Sequence, residues 1–507
     1  MQASPARVSA TRMRLPGVKS NVIGDPSTSL GMTKAGYALL PTEFYEQRKP
    51  SPLPDPYLVA ISPDAARLVD VDPVTAAGDP EFLAVAAGNT VPPGAEPLAT
   101  IYAGHQFGSW VPQLGDGRAI TLGEKNGYEW QLKGAGLTAF SRWADGRAVL
   151  RSTIREFLCS EAMDALGIPT TRALCVVGSD EAVYRERAET AAVLTRLARS
   201  HVRFGTFEVF HYRERTDLVK RLADYLIERY YPELLETDAA QPYLALLREI
   251  VARTARLMAK WQAVGFAHGV MNTDNMSVLG LTIDYGPYGF LDAYKPGFIC
   301  NHTDETGRYA FDRQPTIALW NCYALAEAMS SLLELEPAKA ILETFEPIFR
   351  DAYLAELRSK LGLRASEDSD DLLLGDLMEA MDLDDSDYSR TWRSLSSVTK
   401  TEDTDFSGWF TDRERIAAWL ERYRARLARE GSVDAERRAR MNAVNPKFVL
   451  RNYLAQTAIE KAEHKDFSEV RRLLAVLRRP FDEQPEHDAY AAPPPEWGRH
   501  LVVSCSS

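Results

Sequence analysis

Two oxygen-bearing side chains, Asn275 and Asp284, stand at either end of a short apolar, β-prone run, and this spacing constrains the fold more than any other feature of the chain. The surrounding text reads His268-Gly269-Val270-Met271-Asn272-Thr273-Asp274-Asn275-Met276-Ser277, then Val278 to Ile283, then Asp284-Tyr285-Gly286. If the run doubles back as a tight hairpin, its ends meet and Asp274 lies beside them. An oxygen-only cluster of that kind suits a hard divalent cation, Mg²⁺ or Mn²⁺.

Protein kinases build their catalytic centre on a related plan. An Asn and the Asp of an Asp-Phe-Gly motif hold the metal on the nucleotide phosphates, and a further Asp faces the acceptor hydroxyl. The spacing here departs from that plan, because no His-Arg-Asp precedes the Asn. Further ordered segments accompany the loop: Gly104-His105-Gln106-Phe107-Gly108, Gln113 to Arg118, Leu132-Lys133-Gly134-Ala135-Gly136, Asp145 to Leu158, Asn445 to Gln456 and the terminal Ser504-Cys505-Ser506-Ser507. With these segments the chain closely resembles the selenoprotein O family, kinase-like proteins that transfer AMP rather than phosphate, from about Pro52 to the C-terminus. The resemblance implies an α+β, protein-kinase-like bilobal fold with a mainly β N-lobe, a helical C-lobe and additional C-terminal helices. The expected divisions are a flexible segment at 1–50, an N-terminal extension and N-lobe at 51–210, and a C-lobe with the catalytic loop and metal-binding segment at 211–330. A helical region at 331–480 and a tail at 481–507 complete the chain.

Composition narrows the partners. With 59 basic against 71 acidic residues and a net charge of −12, the chain is not a general binder of nucleic acid or anionic membrane, so phosphate binding has to be argued site by site. No apolar run approaches the roughly 18 to 20 residues needed to span a bilayer, and the N-terminus lacks the apolar core of a secretory signal. A cytoplasmic location is expected. Arg7, Arg12, Arg14 and Lys19, with no acid before Asp25, leave a mitochondrial transit peptide as the alternative.

Along the chain, β-prone runs at Arg118 to Leu122, Trp130 to Leu132, Leu174 to Val177 and Ala192 to Leu197 surround one helix from about Arg147 to Leu166. That helix has apolar Ile154, Phe157, Leu158, Ala162 and Ala165 on one stripe and Glu156 on another. Leu247, Ile250, Val251, Leu257, Met258 and Trp261 mark an amphipathic helix ending before Gly265 and feeding the His268 loop. Residues from about 316 to 480 read as mostly helical. The acidic stretches Glu367 to Asp371 and Asp382 to Asp387 read as solvated loops or helix starts, and Arg413 to Arg429 as an amphipathic surface helix.

Candidate site residues come from residue chemistry first. Gly115-Asp116-Gly117-Arg118 permits a close backbone approach to an anion, although alone it is only a turn; the resemblance implies that Gly115, Gly117 and Arg118 contact the nucleotide. Lys133 ends a short strand and fits the lysine that pairs with a helix glutamate, here Glu156. Asp145 and Gly146 suit a turn or a cap; the family's matching pair contacts the nucleotide. Arg196 and Arg203, seven residues apart, reach one face of a helix or converge from extended structure, and solvated surface is the alternative. The resemblance implies that the nucleotide lies flipped, its γ-phosphate buried among Lys and Arg. The α-phosphate is then presented to the acceptor. Asn275 and Asp284 would bind the metal, Asp284 also reaching the nucleotide through it, and Asp274 would act as base. His105 and His268 have no His or Cys partners at ligand spacing, so structural hydrogen bonding accounts for both.

None of the five cysteines forms a Cys-x-x-Cys pair. Relatives in the family carry a redox-active selenocysteine or cysteine near the C-terminus, which makes Cys505 a redox candidate and Cys300 its expected disulfide partner. The activity the resemblance implies is AMP transfer from ATP to Ser, Thr or Tyr hydroxyls of proteins, the chain itself included, with neither nucleic acid nor membrane as partner. UMP transfer from UTP is a close variant, and a nucleotide-binding pseudokinase scaffold is the non-catalytic alternative.

Overall fold

The structure, a computed structural model, describes residues 30–503. Its strands concentrate in the first two hundred residues: β1 (Tyr45–Gln47), β2 (Tyr57–Ile61), β3 (Leu98–Thr100), β4 (Gly104–Gln106), β5 (Ser109–Val111), β6 (Ala119–Lys125), β7 (Tyr128–Lys133), β8 (Ala148–Val149), β9 (Arg172–Tyr184) and β10 (Ala188–Ala198). An antiparallel sheet runs in the order β1-β3-β6-β7-β10-β9-β2, with β8 added against β10, while β4 and β5 form a separate hairpin.

Alternation in the strands gives the sheet two buried faces. In β10, Ala191, Val193 and Leu197 join Ile120, Leu122, Trp130 and Leu132 in one apolar cluster, closed by Ala65, Phe82 and Val85 from short helices. Ala192 and Leu194 point the other way, onto Ile154, Phe157 and Leu158 of helix α1 (Leu150–Ala165). This is the helix expected at 147–166, and it starts at Leu150 because Ala148–Val149 is drawn into the sheet.

Beyond β10 the chain is mostly helical. After helix α2 (Phe204–His211) and two further helices at Thr216–Tyr230 and Leu234–Thr237 comes α3 (Pro242–Val264), whose Leu247, Ile250, Val251, Leu257, Met258 and Trp261 are all buried, as their spacing predicts. It stops at Gly265, a left-handed residue at φ 76°, a conformation that glycine adopts without a Cβ penalty. Helix α4 (Gln314–Ala328) packs on α2 and α3. Among the described residues, no helix is long and apolar enough to cross a membrane.

Three expectations are corrected. Packing begins before Pro50: Tyr37 and Phe44 are core residues, and β1 pairs with β3. The acidic stretches are not simply solvated. Asp370 is buried against Arg426 at 2.7 Å, from a helix (Arg413–Arg429) that also buries Trp419 and Tyr423, and Asp387 is buried against Arg451 at 2.8 Å. Buried carboxylates survive because each meets a guanidinium fork. The Asn445 to Tyr453 segment carries a polar clamp beside its apolar packing: Arg451 also holds Asp292 at 2.6 Å, and Asn452 Oδ1 accepts from Arg155 on α1 at 3.2 Å. Finally, Val278 to Ile283 does not fold into a hairpin of its own. Ser277 bridges to Arg203 and Thr282 to Thr170, so single bridges to residues distant in the chain hold the run.

Candidate functional site

Histidine 268 brings the two ends of the run together. Its ring stacks on Trp261 of α3, and its Nε2 donates to Ile283 O at 2.8 Å, tying the loop's entrance to the residue before Asp284. Burial pushes its pKa down, which keeps the imidazole neutral with that proton on Nε2. The turn Thr273–Asn275 lies between, buttressed by Asn321 of α4, whose Nδ2 donates to Met271 O at 3.0 Å.

Both carboxylate oxygens of Asp284 are taken by arginine. Arg196 Nη2 donates to Oδ1 at 2.5 Å, and Arg203 Nη1 donates to Oδ2 and to Asp274 O, the latter at 2.7 Å. Arg196 leaves from β10 and Arg203 caps α2, so the two converge from a strand and a helix start, one of the alternatives left open by their spacing. The same Arg196 donates to Glu156 Oε1 at 2.5 Å, while Lys133 Nζ donates to Glu156 Oε2 at 2.6 Å. Three cations and two carboxylates thus form one ion-paired cluster, covered by Tyr102, whose ring lies 4.7 Å from the Arg203 guanidinium.

Electrostatics follow from this packing. Burial works to raise the Asp284 carboxyl, yet Arg196, Arg203 and Lys133 hold it well below the ordinary range. Glu156 is likewise lowered by Arg196 and Lys133 against its burial. Lys133 is pushed down to about 8 by burial, against the pull of Glu156. Asp284 also holds a left-handed backbone at φ 56°, a conformation few side chains adopt, and the two guanidiniums fix it there.

The glycine-rich segments frame this pocket. Gly115, at φ 138°, lies against Phe140, and Gly117 is tied down by Ser141, whose hydroxyl donates to its carbonyl. Arg118 follows immediately, and its charge is felt by Asp284, Glu156 and Arg196. Asp145 caps Arg147 N at 2.9 Å and pairs with Arg185 at 2.7 Å, while Gly146 packs so closely on Gly136 that a Cβ would clash at 2.3 Å. Arg118, Asp145, Lys133, Glu156, Arg196, Arg203 and Asp284 therefore form one connected charged network.

Asp274 borders that network through its backbone, where Arg203 holds its carbonyl, while its carboxylate makes no hydrogen bond to the network's side chains. Its side chain points toward the β4–β5 hairpin: Gln106 Nε2 donates to Oδ2 at 3.3 Å, and Oδ1 is buried without a hydrogen-bond partner. A Cβ on Gly104 would stand 2.6 Å from that oxygen. Burial raises the Asp274 carboxyl to about 7, with Arg203 pulling the other way. Gly104 and Gln106 have no role assigned from the sequence; the signal that could have found them is the Phe107-Gly108 turn, both residues at positive φ, which forces a short hairpin. His105 is structural, its Nδ1 2.6 Å from Glu208 Oε1.

The cation donors expected from the sequence are Asn275 and Asp284, and both oxygens of Asp284 are held by arginine. Asn275 Nδ2 donates to Val270 O at 3.0 Å, which commits the amide nitrogen and leaves Oδ1 as the donor suited to a metal. Among the described residues, no group of three or more His, Cys, Asp and Glu is placed to hold a metal by itself, so the donor set is a small one that phosphate oxygens would complete.

Cys300 is buried behind the loop, where a Cβ on Gly269 would lie 2.7 Å from its Sγ. His302 N donates to Val503 O at 2.9 Å, bringing the C-terminal tail alongside this segment. Cys505 lies outside the described residues.

Relatives with this sequence over nearly their whole length share one kind of name. Protein nucleotidyltransferase YdiU of Myxococcus xanthus (strain DK1622) is 55% identical, the match covering 93% of this chain and 98% of that protein. The proteins of the same name from Thiobacillus denitrificans and Burkholderia lata are 54% and 51% identical, over 93% and 96% of this chain and 98% of each relative. The chain is an enzyme of the protein nucleotidyltransferase class. The family model described as protein adenylyltransferase SelO matches residues 32–478, and the chain belongs to that family.

Proposed function

We propose that this enzyme transfers AMP from ATP to Ser, Thr or Tyr hydroxyls of proteins, its own included, and releases pyrophosphate. The observation that carries the reading is the convergence of Lys133, Arg196 and Arg203 on the two carboxylates Glu156 and Asp284. Buried, fixed guanidinium forks suit a terminal phosphate. A triphosphate entering with its γ-phosphate against these cations leaves the α-phosphorus toward the Asp274 side. The acceptor oxygen then bonds to that phosphorus, the bond to the bridging oxygen breaks, and pyrophosphate departs with the electron pair. Asp274 takes the acceptor's proton, a task to which a carboxyl raised to about 7 is suited. Asn275 and Asp284 would hold Mg²⁺ or Mn²⁺, which would supply charge neutralisation at the phosphates. Gly115, Gly117, Arg118, Asp145 and Gly146 line the nucleotide's approach.

An antiparallel sheet with Lys133 on β7 ion-paired to Glu156 on α1, followed by helices, supports a kinase-like bilobal arrangement divided near residue 210, with additional helices after 330. Cys300 and Cys505 would form a regulatory disulfide behind the catalytic loop. Thiol titration of the oxidised protein is expected to find two fewer free thiols than the reduced protein, and equal counts would remove the bond.

The assay that tests the activity uses the purified protein, a general protein acceptor, Mg²⁺ or Mn²⁺, and ATP labelled at the α or the γ position. Label is expected on protein from α-labelled ATP only. Transfer from γ-labelled ATP would make the enzyme a kinase, stronger transfer from α-labelled UTP would make UMP the group moved, and no transfer would leave a nucleotide-binding scaffold.

A further inference from the structure

Gln106 supplies the one side-chain hydrogen bond to the Asp274 carboxylate among the described residues, and the hairpin that carries it is fastened to the catalytic loop at several points. Its strands pair Gly104 with Val111, His105 with Trp110 and Gln106 with Ser109. His105 N donates to Thr273 Oγ1 at 2.8 Å, and Phe107 N donates to Tyr309 OH at 3.0 Å and to Asn272 Oδ1 at 3.2 Å. Thr273 Oγ1 donates in turn to Glu208, whose other oxygen meets His105 Nδ1. Residues on both sides of Asp274 and Gln106 are thereby locked together, while Gly104 lies over Oδ1 with no room for a Cβ. An amide placed this way fixes the carboxylate's rotation without cancelling its charge, which a Lys or Arg at 106 would do.

We propose that Gln106 is a positioning residue for the transfer reaction, acting through Asp274 by holding Oδ2 so that the carboxylate faces the acceptor hydroxyl. The proposal rests on the reading of Asp274 as the base. A hydrogen bond to a charged group contributes enough that its loss is expected to lower kcat about 10- to 100-fold.

A double-mutant cycle tests this in the full-length protein, following AMP transfer from ATP. Gln106→Leu should lower kcat by that factor with the KM for ATP and the melting temperature unchanged. Gln106→Glu, which keeps the shape but sets a carboxylate against a carboxylate, should lower kcat at least as far. In an Asp274→Ala background, Gln106→Leu should bring no further loss, because its partner is already gone. An undiminished kcat for Gln106→Leu, or a loss that multiplies with that of Asp274→Ala, would overturn the role of Gln106. Full activity of Asp274→Ala alone would instead overturn the assignment of the base, a separate failure read from the same four proteins.

Discussion

Replacing Asp274 by alanine is expected to leave nucleotide binding in place and to cost most of the turnover. The side chain makes one hydrogen bond, to Gln106, and none to the Arg196–Arg203–Glu156 network, so its removal leaves every cation of the pocket paired as before. The backbone carbonyl that Arg203 uses survives the substitution. What disappears is the proposed proton acceptor, a role worth roughly 10²- to 10⁴-fold in rate. Steady-state kinetics with α-labelled ATP should therefore show kcat reduced by that order with the KM for ATP little changed. The variant should also be stabilised by ATP as the parent is. A matching loss of ATP-dependent stabilisation would show that Asp274 belongs to the nucleotide pocket and not to the acceptor side.

Asp284→Ala is expected to do the opposite, striking binding and stability together. Arg196 would retain Glu156 and Gln131, and Arg203 would retain Asp274 O and the face of Tyr102, but both would lose their shared anion. Breaking a fully buried pair costs about 3 to 5 kcal/mol. With the Asp284 side chain 21% exposed and both guanidiniums keeping other partners, about 1 to 3 kcal/mol of lost stability is expected. Nucleotide response should separate this charge imbalance from metal binding. Without a divalent cation, a non-hydrolysable ATP analogue should raise the melting temperature of Asp284→Ala more than that of the parent, because its phosphates find forks no longer occupied by a carboxylate. Adding Mg²⁺ or Mn²⁺ should then raise it further in the parent and not in the variant. A metal-dependent rise of parental size in Asp284→Ala would exclude Asp284 as a ligand.

The contrast between these two aspartates shows what could be read ahead of the structure. Local patterns were legible: α1 carries Glu156 and begins and ends within one turn of its expected bounds, β7 delivers Lys133, and α3 stops at the glycine that precedes the His268 loop. The Lys133–Glu156 pair was inferable because a strand-end lysine and a mid-helix glutamate meet when a helix packs on a sheet. Reading the Asn275-to-Asp284 run as a hairpin erred about how its ends meet. A neutral histidine staple to Ile283 and bridges to Arg203 and Thr170 do that work, from residues far away in the chain.

Burial of charge was the least readable property. Asp370 and Asp387 lie in acidic runs that look solvated, and the guanidiniums of Arg426 and Arg451, 56 and 64 residues away, make their burial tolerable. Gln106 is similar, being an ordinary strand residue until Asp274, 168 positions on, is placed opposite its amide.

The chain by itself determined the family, the alternation that makes the sheet, the helix stripes and the set of candidate site residues, since all of these depend on spacings of a few residues or on matched motifs. Tertiary structure alone decided which oxygen each cation holds, that Asp284 is clamped while Asp274 keeps one oxygen unpaired, and which acidic side chains enter the core. The physical reason is that a charge's partner and dielectric surroundings are set by groups tens to hundreds of residues distant, and no local pattern encodes them.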